Sequence, residues 1–276
     1  MNTAKEMQDF ARLIQALDPW LDQLVVIGGW AHRLYRIHPL AQELDYPPLV
    51  TLDTDVAVPN RLPAGAANIA KRLREYDFNE DLLGDHQPPV TQYKLGSEDT
   101  GFYAEFLTPL TGSGYKRDGT PDTTVRVAGV SSQKLRYLDV LLEHPWIIEL
   151  DKTVGFPLDK TSMVKIPNAA TFLAQKLLIH ELRERKHRAK DVLYIHDTIE
   201  VFGGSLDAIK SVWHEEAKPR LRANVRAKVE RAAAVMFSEV TDSVREAAEI
   251  SRSVGRYLRP DDTRALCDAG VKFIFL

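Results

Sequence analysis

Short apolar runs alternate with turn residues along the first 150 positions, a pattern typical of strands in a mixed sheet. These runs predict strands at residues 24–27, 50–58, 91–95, 102–107, 125–130 and 146–150. Apolar residues at helical spacing predict helices at residues 4–17, 31–37, 64–75 and 133–142. Segments rich in turn-forming residues indicate loops at 38–48 and 108–124.

From residue 168 onward the apolar positions follow the period of helices. Pro167 and Asn168 suit a helix start, and the pattern then predicts helices at residues 169–185, 189–201, 206–217, 220–237 and 240–254. This change of character predicts the α+β class, with a mixed β-sheet and flanking helices in residues 1–166. A helical C-terminal domain is predicted for residues 167–276.

Composition limits the class of protein further. The 276 residues are 44% hydrophobic and 27% charged, as expected of a globular chain and not of a disordered one. No apolar run approaches the roughly 18 residues of a transmembrane helix, and the N-terminal helix carries acids, unlike a signal peptide. The single Cys267 excludes an internal disulfide and fits a reducing compartment. We therefore expect a cytoplasmic protein without membrane association.

Two acids stand out in an otherwise apolar strand. Side chains alternate between the faces of a strand, so Asp53 and Asp55 project together, about 7 Å apart along the chain. Two carboxylates this close repel each other unless a cation lies between them. Magnesium, or manganese in its place, is the expected ion because it prefers carboxylate and phosphate oxygens. Glu105 is a lone acid in another apolar strand, and it completes a three-carboxylate metal site if the two strands are neighbours.

The glycine pair before the first predicted helix adds a phosphate-binding element. A helix start behind Gly28 and Gly29 offers free backbone N–H groups and the positive end of the helix dipole. Without side chains, these glycines allow a triphosphate to approach the backbone closely. A metal site beside a phosphate site is the equipment of phosphoryl or nucleotidyl transfer.

At this point the sequence resembles a known family. The segments GGWAHRLY, TLDTDVAV and AEFL are similar to the signature of the nucleotidyltransferase superfamily with the polymerase-β-like fold. The resemblance implies that Gly28 and Gly29 carry the first motif, that Asp53 and Asp55 are the metal-binding pair, and that Glu105 is the third metal-binding acid. It also implies a nucleotidyltransferase-like mixed sheet.

The closest resemblance is to the AbiEii-type abortive-infection toxins, because of Thr51 before the two aspartates and a helical lysine followed by a Lys-Asp segment. Lys176, Lys190 and Asp191 supply that second feature. The resemblance implies that Lys176 contacts the nucleotide phosphates and that Asp191 orients or deprotonates the acceptor. Thr51 and Lys190 join the glycines and Lys176 as predicted nucleotide-binding residues.

Simpler interpretations exist for each feature. The glycine pair is also compatible with an ordinary tight turn, and the two aspartates with a device that keeps an edge strand soluble. Asp191 is in reach of an ion pair with Arg188 within its own helix. A basic run at residues 218–231 suits either an RNA backbone or a solvated helix face.

Together these features predict a metal-dependent nucleotidyltransferase that transfers an NMP from an NTP to a hydroxyl acceptor. A tRNA end or a protein side chain is the expected acceptor, and the toxin resemblance implies a role in a toxin–antitoxin system or in phage defence, with an antitoxin as partner. Two alternatives remain open: a catalytically silent nucleotide- or RNA-binding module of the same fold, and an antibiotic nucleotidyltransferase of the aminoglycoside type.

Overall fold

A computed structural model of the chain describes residues 3–49, 51–60, 62, 68–96, 101–253 and 255–276. The chain forms two units. The first consists of Met1–Leu34 and Leu49–Pro167, and the second of Tyr35–Pro48 and Asn168–Leu276. The domain boundary predicted between residues 166 and 167 stays a prediction.

A seven-stranded mixed sheet forms the centre of the first unit. Its strands are β1 (Val25–Ile27), β2 (Asp53–Ala57), β3 (Phe78–Leu83), β4 (Val90–Leu95), β5 (Tyr103–Pro109), β6 (Thr124–Val127) and β7 (Val130–Leu135). The order is β1-β2-β5-β4-β3, and β7 pairs with both β5 and β6. The β2–β5 and β5–β7 pairs are parallel and the others are antiparallel. A separate antiparallel pair is formed by β8 (Trp146–Leu150) and β9 (Ser162–Ile166).

The helices of the first unit are α1 (Thr3–Leu17), α2 (Gly28–Leu34), α3 (Ile69–Glu75) and the short α4 (Leu138–Leu141). The apolar stripe of α1 is buried, and the ring of Phe10 stacks on Trp30 of α2 with centroids 3.9 Å apart. Asn68 caps α3 by accepting a hydrogen bond from the backbone N–H of Lys71, which satisfies one of the free donors at the helix start.

Burial alternates along the strands that concern the site. In β2 and β5 the side chains of Thr54, Val56, Ala104 and Phe106 are buried, whereas the acids between them are only half-buried. One face of the sheet therefore packs into the core, and the opposite face presents polar side chains.

The second unit is helical: α5 (Ala169–Ile179), α6 (Arg185–Val201), α7 (Leu206–Ser211), α8 (Ala223–Val235), α9 (Asp242–Ser253) and α10 (Pro260–Phe275). Asn168 caps α5 by accepting a hydrogen bond from the N–H of Thr171 at 2.8 Å. The segment Tyr35–Pro48 belongs to this unit because Tyr35 packs edge-on against Phe172 and Phe202.

The structure confirms the α+β class, with a mixed sheet and flanking helices followed by helices. One prediction is wrong: residues 133–142 do not form a helix, because 130–135 are strand β7 and only Leu138–Leu141 are helical. Ala128 and Gly129, both with positive φ, turn the chain between β6 and β7. Residues 133–135 of the predicted helix belong instead to β7, which pairs through its backbone with β5 and β6.

Besides β7, three elements of the described residues were not predicted, namely β3, β9 and α10. Strand β3 lies at the sheet edge and has a polar sequence, so its apolar signal is weak. Part of the predicted helix 64–75, residues 64–67, lies outside the described residues, as do Val50 and Val254 at the ends of other predicted elements. In the part of the chain that the structure describes, no helix has both the length and the apolar character to cross a membrane.

Candidate active site

The predicted acids lie on the polar face of the sheet in two rows that run across neighbouring strands. In the first, called here the Asp55 row, Asp55 of β2 lies opposite Glu105 of β5, and Glu105 lies opposite Gln92 of β4. In the second, the Asp53 row, Asp53 lies opposite Tyr103, and Tyr103 lies opposite Lys94. The rows are two residues apart on each strand, so all six side chains belong to one face.

The position of β2 in the sheet decides between edge protection and cation binding as the role of Asp53 and Asp55. Strand β2 is an inner strand, paired antiparallel with β1 and parallel with β5. An interpretation of Asp53 and Asp55 as protection for an exposed edge is therefore wrong. Their half-buried position on an inner strand needs another explanation, such as a bound cation.

Gly28 and Gly29, called here the glycine corner, lie against these acids. Strand β1 ends at Ile27, which is opposite Asp55, and α2 begins at Gly28. Gly28 has a φ of +65°, and a Cβ at this position would collide with the Asp55 carboxylate. The glycine is thus required both for the backbone conformation and for the close approach of the acid.

Gly29 and Thr51 make the second contact between the corner and the acids. A Cβ on Gly29 would lie 2.6 Å from Cγ2 of Thr51, so the two residues pack without room for a side chain. The Thr51 hydroxyl donates a hydrogen bond to the Asp53 carboxylate. Thr51 therefore links the glycine corner to the Asp53 row.

Electrostatics at the site reflect the crowding of negative charge. Burial raises the pKa of Glu105; a hydrogen bond from Gln92 Nε2 to Glu105 Oε1 at 2.6 Å opposes this shift, and the charge of Asp53 adds to it. Burial together with the charges of Asp53, Glu105 and Asp55 raises the pKa of Tyr103 to about 12. The three carboxylates thus act on the same small region.

The two rows carry the type of ligand that a hard divalent cation takes, but the carboxylate oxygens of Asp53, Asp55 and Glu105 do not all lie within 4.8 Å of one another, so they would have to move together to share one ion. Three half-buried carboxylates on adjacent strands supply the oxygen ligands that Mg²⁺ and Mn²⁺ accept. The pKa of Glu105 is raised first by burial and then by the charge of Asp53, and a bound cation would offset that charge. Asp53, Asp55 and Glu105 are the residues that would hold it.

The other predicted group lies in the second unit. Lys176 of α5 and Asp191 of α6 form an ion pair, with Nζ 2.7 Å from Oδ1, and their side chains are only 5% and 3% exposed. Arg183 Nε lies 3.4 Å from the other carboxylate oxygen of Asp191. The alternative pairing of Asp191 with Arg188 is not what forms, because Arg188 bonds to the backbone carbonyls of Arg183 and Glu181.

Aromatic rings complete the surroundings of this pair. Lys176 Nζ lies 4.8 Å from the ring centroid of Tyr194 and 5.4 Å from that of Phe172. The predicted Lys190 lies over the same Tyr194 ring, at 5.6 Å. Cation–π contacts of this kind stabilise an ammonium group in a partly desolvated setting.

A further polar cluster in the second unit was not predicted. His196, Asp197 and Glu200 of α6 each place a ligand atom within 4.8 Å of the others, the one group in the described residues with this metal-like spacing. Arg256 supplies the positive charge there: its guanidinium lies 2.5 Å from Asp197 Oδ1 and 2.5 Å from Glu200 Oε2. We call these four residues the Arg256 cluster.

The Arg256 cluster also fixes the Tyr35–Pro48 segment within the second unit. The Tyr46 hydroxyl donates a hydrogen bond to Glu200, and the Arg256 guanidinium carbon lies 3.5 Å from the Tyr46 ring centroid. Gln42 adds a 2.7 Å hydrogen bond from its side chain to the carbonyl of Glu200. The cluster has the contacts of a structural ion network.

Comparison with known proteins adds the family. A family model described as "Nucleotidyltransferase" matches residues 5–218. A crystal structure of a candidate nucleotidyltransferase from H. pylori is similar over 95% of this chain and 92% of that one, with 10% identity and a TM-score of 0.43. The structure of JHP933 from Helicobacter pylori is similar over 95% and 89%, with 11% identity and a TM-score of 0.42. No curated protein matches the chain.

The matched segment is well over half of the chain, and it contains the glycine corner, all three acids of the sheet and the Lys176–Asp191 pair. The chain therefore belongs to the nucleotidyltransferase family.

Proposed function

We propose that this protein is a metal-dependent nucleotidyltransferase that transfers an NMP from an NTP to a hydroxyl acceptor and releases pyrophosphate. The observation that carries the proposal is the contact set around Asp55. This acid lies opposite Glu105 on a parallel inner strand and touches Gly28 at the start of α2. Carboxylates and a helix start are thereby combined in one small site.

Each site residue of the first unit has a role in this proposal. Asp53, Asp55 and Glu105 bind Mg²⁺ or Mn²⁺, which when present neutralises phosphate charge and activates the attacking hydroxyl. The backbone N–H groups behind the glycine corner receive the triphosphate. Thr51 holds the Asp53 carboxylate through its hydroxyl. Gln92 holds one oxygen of Glu105 and so fixes the orientation of that acid.

The family resemblance supplies the remaining roles. Lys176 and Lys190 are proposed to contact nucleotide phosphates, and Asp191 to orient or deprotonate the acceptor. In the structure Lys176 and Asp191 neutralise each other, so substrate binding in this role would have to exchange their ion pair for contacts with the substrate.

The acceptor and the biological setting are proposals of the same kind. A tRNA end or a protein side chain is the acceptor favoured by the AbiEii-type resemblance, which also implies a cytoplasmic toxin with an antitoxin partner or a defence role. The basic run at residues 218–231 is one candidate RNA contact. Lys218 forms an ion pair with Glu230 at 2.9 Å and Arg220 one with Glu216 at 3.8 Å, and the side chains of Lys228 and Arg231 are exposed.

The test is a transfer screen with four α-³²P-labelled NTPs, Mg²⁺ or Mn²⁺, and cell extract as the source of acceptors. We expect a labelled product and pyrophosphate with the wild type, and neither with the double variant Asp53→Ala/Asp55→Ala. The matched control is Asp85→Ala/Glu149→Ala, which removes two exposed acids of the same unit and should retain transfer. Transfer that survives the loss of Asp53 and Asp55 would refute the proposal.

A second function, a silent binding module, is favoured by one observation. The predicted phosphate contact Lys176 and the predicted acceptor contact Asp191 are both almost fully buried and already paired. Calorimetric titration with Mg²⁺–NTP separates the two functions. Binding without pyrophosphate release in the presence of extract would support the module, whereas release that depends on Asp53 and Asp55 supports the enzyme.

A further inference from the structure

Tyr103 lies in the Asp53 row directly beside the proposed metal-binding acids. Tyr103 belongs to β5, which runs parallel to β2, and it lies opposite Asp53 in that pair. It shares a face of the sheet with Glu105, two residues further along β5. The side chain is half-buried, and within the described residues no hydrogen bond or ion pair links its hydroxyl to a partner. The Tyr103 hydroxyl is not among the buried polar atoms that lack a partner in the described residues, so solvent reaches it and a bound nucleotide can reach it too.

With the triphosphate at the glycine corner as proposed above, the order of groups across the sheet puts Tyr103 on the acceptor side of the site. The glycine corner lies on the β1 side of β2, through the Gly28–Asp55 and Gly29–Thr51 contacts. Tyr103 lies on the β5 side of the same strand. In phosphoryl transfer the attacking and leaving oxygens are in line on opposite sides of the phosphorus. With the outer phosphates at the glycine corner, pyrophosphate leaves towards β1 and the attacking oxygen comes from β5.

We propose that the Tyr103 hydroxyl is itself an acceptor, so that the chain nucleotidylates its own Tyr103 when NTP and a divalent metal are bound. This inference rests on the proposed function and adds a modification site to it. The phenol oxygen forms a bond to the α-phosphorus, and the bond from that phosphorus to the bridging oxygen of the β-phosphate breaks. Pyrophosphate leaves with the electron pair, and the phenolic proton is released to solvent water.

Self-modification at this position has a consequence for the site. The product is a phosphodiester whose negative charge lies beside Asp53 and Glu105, and its nucleoside occupies the acceptor side of the rows. A chain modified at Tyr103 is therefore expected to be a poor catalyst for external acceptors.

The first test is incubation of the purified full-length chain with Mg²⁺ or Mn²⁺ and each NTP, followed by intact-mass measurement and peptide mapping. We expect one added NMP on the peptide that contains Tyr103, at a fractional rate that does not change with protein dilution. Tyr103→Phe should lose the label, while Tyr115→Phe, at a 65% exposed tyrosine of the same unit, should keep it. The folded state of each variant is checked by its Tm, because Tyr103→Phe removes a hydroxyl without a described partner.

The second test needs no turnover. An α,β-methylene NTP analogue with Mg²⁺ should protect Tyr103 from hydroxyl-radical oxidation several-fold, as read by peptide mapping, and leave the oxidation of Tyr115 unchanged. Equal oxidation of Tyr103 with and without the analogue would overturn the inference, as would an NMP found on any residue but Tyr103.

The two proposals fail in different ways. Pyrophosphate release that depends on Asp53 and Asp55, with an unlabelled Tyr103, would overturn the self-modification and leave the nucleotidyltransferase intact. No pyrophosphate release and no Mg²⁺–NTP binding by the wild type would overturn both.

Discussion

Lys176 and Asp191 form a buried ion pair, 2.7 Å from Nζ to Oδ1, between helices α5 and α6. Removal of one partner leaves the other charged and desolvated, which costs about 3–5 kcal/mol for a buried pair. We therefore expect Lys176→Met and Asp191→Leu each to lower the free energy of unfolding by about that amount, as measured by urea denaturation. The double variant should lose less than the sum of the two, because neither charge is left unpaired.

A catalytic role for Lys176 and Asp191 is tested by transfer activity and not by stability. Activity must be compared only among variants that remain folded, so transfer is measured below the unfolding temperature of the double variant. If the losses in the free energy of unfolding simply add in the double variant, the two charges are not coupled as a buried ion pair.

Arg256 should contribute to the stability of the second unit in a similar way. Its guanidinium is 12% exposed and bonds to Asp197, which is 1% exposed, and to Glu200. Arg256→Met leaves the Asp197 charge buried without its cation, and we expect a loss of about 3 kcal/mol by urea denaturation. Arg252→Met is the control: this arginine and its partner Glu249 are 50% and 66% exposed, so its loss should stay below about 0.5 kcal/mol. Equal losses would show that the cluster is not an ion network.

The sequence allowed the prediction of those parts of the site that depend on local pattern. Asp53 and Asp55 share a face because strands have a period of two, and helix α2 begins at Gly28 because the apolar run ends at Ile27. Their convergence with Glu105 followed from the resemblance and from two apolar strands that proved to be neighbours. The nucleotidyltransferase family is confirmed, while the AbiEii-type branch stays a proposal.

The residues that escaped prediction have partners far away in the sequence. Gln92 contacts Glu105 across 13 positions, and Arg256 contacts His196 across 60. No spacing rule connects such positions, since the register of β4 against β5 and the packing of helices decide them. Tyr103 was within reach of the sequence, because it precedes Glu105 by two residues in the same strand and so shares its face.

Gly28 should tolerate no side chain, for two separate reasons. Its φ of +65° is left-handed, which costs an alanine about 1–2 kcal/mol, and a Cβ would displace the Asp55 carboxylate. We expect Gly28→Ala to abolish nucleotide transfer and to lower the free energy of unfolding by more than the backbone cost alone. Gly112→Ala isolates that backbone cost, because Gly112 has a φ of +82° and no neighbour within 4 Å of the added Cβ. If both variants lose the same stability and keep transfer, Gly28 does not position Asp55.

The pH dependence of stability should carry the signature of Glu105, whose pKa is raised in the folded state by burial. Between its unfolded pKa, near 4.5, and the raised folded pKa, the native chain binds more protons than the unfolded chain at this residue. The free energy of unfolding therefore falls as pH rises through that window.

The variant Glu105→Gln lacks this ionisable group and its pH-dependent contribution to stability. We therefore expect the variant to gain stability relative to wild type as pH rises from 4.5 to 7, in urea titrations without metal. Millimolar Mg²⁺ should stabilise the wild type more than Glu105→Gln. A stability difference between wild type and Glu105→Gln that stays constant with pH would show that Glu105 does not titrate in a desolvated, negatively charged site.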